Sequence, residues 1–162
     1  MKSLQRRLWV SCLAAFCSLA DVAIAGGPGV SVEGAWVREM PPAMQLTAAY
    51  MVLKNTAIEP STLIGATALD FVKVEMHETV QHLGKAQMQG IKELIIPAKG
   101  QVVLQPGGYH LMLITPQKNV LPRAGDQVAL TLNFKNGTSI DVKAKVQKGT
   151  EDPAAADAHH MH

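Results

Sequence analysis

Residues Gln127–Gln147 read QVALTLNFKNGTSIDVKAKVQ. Two runs rich in Val, Leu, Ile and Thr, Gln127–Phe134 and Thr138–Gln147, flank Lys135-Asn136-Gly137. Asn-Gly between such runs is the strongest short-range hairpin signal a sequence carries. Working outward, the same grammar repeats. Strands are expected near Val30–Glu33, Ala35–Arg38, Ala48–Asn55, Thr62–Ala66, Phe71–His77, Ala86–Ile96, Gln101–Leu104 and His110–Ile114. Leu94-Ile95-Ile96-Pro97 ends a strand at a proline, which cannot donate to a ladder. Pro106-Gly107 suits a type II turn, with glycine supplying the positive φ. No long stretch combines helical periodicity with caps. Many short strands at regular spacing imply a single-domain β-sandwich or barrel over about residues 28–149.

The two ends read differently. Lys2, Arg6 and Arg7 precede a mostly apolar run of 13 residues, Leu8–Ala20, followed by Ala23-Ile24-Ala25. Such a run is too short to span a bilayer, and its flanks are those of a cleaved secretory signal peptide over residues 1–25. Cys17 follows Phe16 and Cys12 follows Val10-Ser11, so neither fits well the run of small residues that a lipoprotein signal needs. Both cysteines leave with the signal, so the exported chain uses no disulfide. The formal charge of +2 loses Lys2, Arg6, Arg7 and Asp21, three positive and one negative, and falls to about zero. No basic patch argues for nucleic acid, and no later apolar run argues for stable membrane insertion. Residues 150–162 form a small, polar tail ending in His159-His160-Met161-His162, a pattern that suits metal capture or a purification tag.

Between these ends lie three histidines, His77, His82 and His110, and six methionines, Met40, Met44, Met51, Met76, Met88 and Met112. In PGGYHLML, His110 and Met112 stand two apart on an expected strand and so share a face, with Leu111 and Leu113 on the other. His77 ends one strand and Met88 lies in the next, after a loop containing Gly84, so the pair can meet across a hairpin. Two imidazoles and two thioethers, without thiolate or carboxylate, form a soft, neutral set that selects Cu(I) over Zn²⁺ or hard cations. Thioethers need no deprotonation, so only the imidazoles compete with protons. Copper affinity should fall as pH drops through the histidine range, near ~6.5.

Taken singly, each methionine reads more readily as a core gap-filler than as a ligand, and a buried strand histidine more readily as a hydrogen-bonded core residue. Met76 faces away from His77 and reads as core, His82 as a solvated loop residue, and Trp36 and Tyr50 as core aromatics. Met40 and Met44 flank Pro41-Pro42 and receive no role. A blue-copper electron carrier needs a cysteine ligand, which the exported chain lacks. No serine or cysteine nucleophile stands in a recognisable catalytic set, so an enzyme is not expected. A β-sandwich interaction module with purely structural methionines remains a rival, and would bind no copper stoichiometrically.

His77, ten residues, Met88, twenty-one residues, His110, one residue, Met112: this spacing resembles the metal motif of the periplasmic copper chaperones called PCu(A)C. GAWVREMPPAMQLTAAYMVLKN, LQPGGYHLMLI and GDQVALTLNF extend the resemblance over nearly the whole exported chain. The resemblance implies a cupredoxin-like or immunoglobulin-like Greek-key β-sandwich. It implies Cu(I) held by His77, Met88, His110 and Met112, and a possible Cu(II) site at His159, His160, Met161 and His162. It also implies a periplasmic carrier that delivers copper to the Cu(A) centre in cytochrome c oxidase subunit II, often with a Sco-like thiol protein. An exported copper-buffering or resistance protein without a dedicated client is the alternative.

Overall fold

A computed structural model describes residues 29–40, 43–117 and 121–149. The signal segment and the C-terminal tail with His159, His160, Met161 and His162 lie outside the described residues. The fold is all-β, with no α-helix among the described residues. Ten strands follow one another: β1 (Val30–Arg38), β2 (Leu46–Asn55), β3 (Ser61–Ala68), β4 (Phe71–His82), β5 (Lys85–Ile91), β6 (Leu94–Ile96), β7 (Gln101–Leu104), β8 (Tyr109–Pro116), β9 (Gln127–Phe134) and β10 (Ser139–Gln147). They form one continuous ladder in the order β5-β4-β8-β7-β2-β1-β10-β9-β3-β6.

The ladder is rolled into a sandwich. Its two edge strands, β5 and β6, are separated in the chain by Lys92 and Glu93 alone. Three peptide steps span at most about 10 Å, so the two edges must lie close together. Leu53, Leu63, Ile96, Leu111, Leu113, Leu130, Leu132 and Phe134 fill the space between the layers, each essentially without exposure. The expected single strand Ala86–Ile96 is therefore two. Ile91 ends pairing with β4, and Leu94–Ile96 pairs instead with Leu63–Ser61 of β3. Pro97 follows directly and stops the second strand.

The first two expected strands are one, interrupted by a bulge. The register against β2 slips between Glu33 and Trp36, where Gly34 takes a φ of 58°. An extra residue inverts which side chains face inward. Val30 and Val32 face the core before the bulge and Val37 after it, while Trp36 turns to the outer face. Beyond the bulge β1 also pairs in parallel with β10 through Trp36–Arg38.

Two turns act on the region of interest. Pro106 and Gly107 occupy the centre of a turn closed by Gly108 N–H donating to the Gln105 carbonyl at 3.0 Å, and Gly107 has φ 76°. That is the type II geometry. It lets β7 and β8 occupy successive halves of β2, so that β8 is free on its other side to pair with β4. At the β9–β10 hairpin, Gly137 N–H donates to Phe134 O at 3.0 Å and Gly137 takes φ 82°. Lys135-Asn136-Gly137 is thus a three-residue loop with glycine in the left-handed position, and Asn136 Oδ1 accepts from Thr138 N–H at 3.1 Å.

Candidate metal centre

Strand β8 is buried on both sides. Leu111 and Leu113 point into the core, while His110 and Met112 on the opposite face are only 4% and 7% exposed. An imidazole buried at this depth costs free energy unless its polar atoms are satisfied. The turn before it does part of this. The Gly108 carbonyl accepts from His110 Nδ1 at 3.0 Å and from the Thr79 amide of β4 at 3.1 Å. A carbonyl only accepts, so Nδ1 carries the proton and the buried Nε2 keeps its lone pair. The proximity of histidine to the Pro-Gly-Gly turn thus has a structural cause: the turn supplies the acceptor that orients the ring.

Strand β4 brings the second imidazole. His77 stands directly across from His110 in the β4–β8 ladder, with ring centroids 5.7 Å apart and the planes steeply inclined. The strand does not end at His77 but continues to His82. It returns through a two-residue turn in which Leu83 and Gly84 have φ of 50° and 77°. Both positive values mark the type I′ hairpin turn. Register then decides where Met88 goes. Gly90 faces His77 and Met88 faces Thr79, so Met88 lies on the same face as His77, diagonally across the ladder. Diagonal neighbours stand about 7–8 Å apart at Cα, within reach of a long side chain. Met112 faces Glu75 on one side and Ala48 on the other.

His77, Met88, His110 and Met112 are therefore carried on three adjacent strands, β5, β4 and β8, and share the face turned away from the core. Three are largely buried, whereas Met88 is 51% exposed. The β5 arm that carries Met88 is exposed along all its residues except Ile91. Among the described residues no group of three His, Cys, Asp or Glu could hold a metal ion.

Glu75 was not legible as part of this group. It lies two residues before His77 on the same face, and its Oε2 stands 2.9 Å from His77 Nε2. Its Oε1 pairs with Lys73 Nζ at 2.5 Å. Hydrogen bonds from Lys73, first, and from His77 hold the Glu75 carboxyl below the usual glutamate range. With Nε2 engaged, His77 Nδ1 is buried and has no hydrogen-bond partner among the described residues. The strand period of two was the signal that could have singled out Glu75.

Tyr50 is buried as expected, at 2% exposure, whereas Trp36 is only partly buried. Trp36 and Tyr50 stack with centroids 4.5 Å apart on the outer face, not between the layers, and Tyr50 lies 6.5 Å from the His110 ring. The β1 bulge put Trp36 there. Arg38 covers Tyr50 at 5.9 Å from its ring centre. Met76 and Met51 are core residues, and Met40 joins them, fully buried. Met44 is 46% exposed, and His82 is exposed at the end of β4.

The family described as "Putative lipoprotein LpqE-like" matches residues 30–146. A "Putative lipoprotein" of Leifsonia xyli subsp. xyli is 35% identical over 120 residues, which cover 74% of this chain and 70% of the relative. The solution structure of CuI-DR1885 from Deinococcus radiodurans is 35% identical with a TM-score of 0.62, covering 82% of this chain and 87% of that one. The copper-bound PCuAC domain from PmoF2 has a TM-score of 0.64 at 23% identity, covering 76% and 97%, and speaks for the fold alone.

Proposed function

The chain belongs to the LpqE-like family, related to the PCu(A)C copper chaperones, and from that premise we propose that it is an exported copper carrier holding Cu(I) between His77, Met88, His110 and Met112. One observation carries the reading: both imidazoles face each other across a ladder, each tied through one ring nitrogen, with two thioethers on the same face. Metal-binding histidines characteristically use their second nitrogen in this way. Two neutral sulfurs and two neutral nitrogens suit Cu(I). The solved Cu(I) form of DR1885 supports the same cargo.

A carrier has to release what it holds. Burial of His110 and Met112 shields the metal, while the half-exposed Met88 offers the ligand at which exchange with an acceptor begins. Delivery exchanges the coordinate bonds that copper makes to these donors for bonds to the acceptor's donors and leaves every covalent bond intact, so the proposed function is transport and not catalysis. The acceptor we propose is the Cu(A) site of cytochrome c oxidase subunit II, alone or through a Sco-like thiol protein, in the periplasm. Removal of residues 1–25 by signal cleavage accords with the lipoprotein names of the relatives as far as export goes. His159, His160, Met161 and His162 form a second, Cu(II)-binding element.

Titration with Cu(I) against a competing chelator tests the site. The intact protein should bind one equivalent tightly, and the Met88→Leu/Met112→Leu double variant should not. Retained binding in the double variant would rule out this donor set. Deleting residues 151–162 should reduce Cu(II) uptake and leave Cu(I) binding unchanged. Deleting the gene should impair oxidase assembly when copper is scarce; copper sensitivity alone would identify a buffering protein instead.

A further inference from the structure

We infer that Glu75 is the positioning residue of the copper site: its carboxylate holds the Nε2–H of His77 and so commits Nδ1 to the metal. The inference rests on the four-donor reading above and adds a fifth residue to it.

An imidazole binds metal only through a nitrogen that carries no proton, and the partner of the other nitrogen decides which one that is. Glu75 Oε2 lies 2.9 Å from His77 Nε2. An ionised carboxylate can only accept, so the proton sits on Nε2 and the lone pair on Nδ1. Nδ1 is buried and has no hydrogen-bond partner among the described residues. A buried acceptor left in that state costs free energy, which a bound cation would recover. The carboxylate is itself held in place, since its other oxygen pairs with Lys73 Nζ at 2.5 Å. Gly90 opposite His77 leaves the ring uncrowded: a Cβ there would come only within 3.9 Å of Nε2.

His110 is fixed in the opposite sense. Its Nδ1 donates to the Gly108 carbonyl at 3.0 Å, which leaves Nε2. The two facing rings are therefore tied through different nitrogens, Nε2 of His77 and Nδ1 of His110. The anchors also differ in kind. One is a backbone carbonyl, which no substitution removes, and the other is a carboxylate that places a negative charge beside a monovalent cation.

The test uses the full exported chain with one equivalent of Cu(I), read by long-range proton–nitrogen NMR correlations of the imidazole rings and by chelator competition. Wild type should show His77 protonated at Nε2 before loading and copper at Nδ1 after it. Glu75→Leu should scramble the His77 tautomer and weaken Cu(I) binding by about tenfold or more, as loss of an outer-shell partner does. Glu75→Gln, which keeps an acceptor oxygen, should restore the tautomer and most of the affinity. Amide spectra of all variants report whether the fold is intact. Copper on Nε2 of His77 in wild type, or a Glu75→Leu protein with unchanged tautomer and affinity, would overturn the inference. His77→Ala separates the two levels. If it too leaves Cu(I) affinity unchanged, the four-donor reading fails; if it alone weakens binding, only the role of Glu75 fails.

Discussion

The β9–β10 hairpin and the β4–β8 pair are both antiparallel ladders in the same sheet, yet they bury different things. In β9 and β10 burial alternates strictly. Val128, Leu130, Leu132, Phe134, Val142, Ala144 and Val146 face the core, and Asp141, Lys143 and Lys145 face solvent. In β8 four consecutive residues, His110 to Leu113, are buried. The inner pair is aliphatic and the outer pair is a histidine and a methionine. A strand that serves only as a wall has no reason to place an imidazole under cover on its outer side, because burial of a polar ring must be offset by partners. The outer face of β8 thus keeps a histidine and a methionine under cover, whereas the outer face of β10 meets water.

The comparison can be broken at several points. The largest effect should come from Met88→Leu/Met112→Leu, which keeps volume and apolarity but removes both sulfurs. Cu(I) affinity should fall more than about 100-fold, beyond what outer-shell changes produce, while the unloaded protein loses less than about 1.5 kcal/mol per site. Chelator competition and chemical denaturation read the two quantities. The converse change lies in the hairpin. Leu132→Ala, at a position with no exposure, should destabilise by about 2–5 kcal/mol and leave the Cu(I) affinity of the folded protein unchanged. Equal losses of affinity from both variants would erase the distinction between wall and site.

A smaller effect is expected at the turn that anchors His110. Gly107 takes φ 76° and has open space where a Cβ would lie, so Gly107→Ala meets no clash but strains the backbone. The cost should be about 1–2 kcal/mol. Because the next carbonyl holds His110, Cu(I) affinity should fall modestly as well, unlike an equally strained glycine elsewhere; Gly137→Ala at the distant hairpin is the control. The smallest effect is electrostatic. Lys73 and His77 hold the Glu75 pKa below its unfolded value. The ionised carboxylate therefore adds stability above the ordinary glutamate pKa of about 4.3, and that increment disappears as pH falls through the lowered, folded-state value. With the Glu75 side chain 34% exposed, the increment should be below about 1 kcal/mol. The gap in melting temperature between copper-free wild type and Glu75→Gln should accordingly persist in mild acid and close only as pH falls below the ordinary glutamate value of about 4.3.

Local chemistry explains which features could be read from the chain. Asn136-Gly137 and Pro106-Gly107 announce their turns because their backbone conformations need those residues, and both turns are present. The spacing of His110 and Met112 reports a shared face because strand geometry leaves no alternative. The break between β5 and β6 was hidden: Lys92-Glu93 contains no turn-forming residue, and only the rolling of the sheet forces the chain to change edges there. Trp36 was misplaced because one inserted residue at Gly34 reverses facing, and a bulge has no sure mark in a single sequence. Glu75 was missed because a carboxylate two residues from a histidine on a strand is ordinary until the ring geometry shows which nitrogen it occupies.

X-ray absorption at the copper edge, on the full exported chain loaded with one equivalent of Cu(I), addresses the central claim without any substitution. Two sulfur and two imidazole nitrogen neighbours are predicted. A shell made only of nitrogen and oxygen, or one containing no more than a single sulfur, would contradict the account.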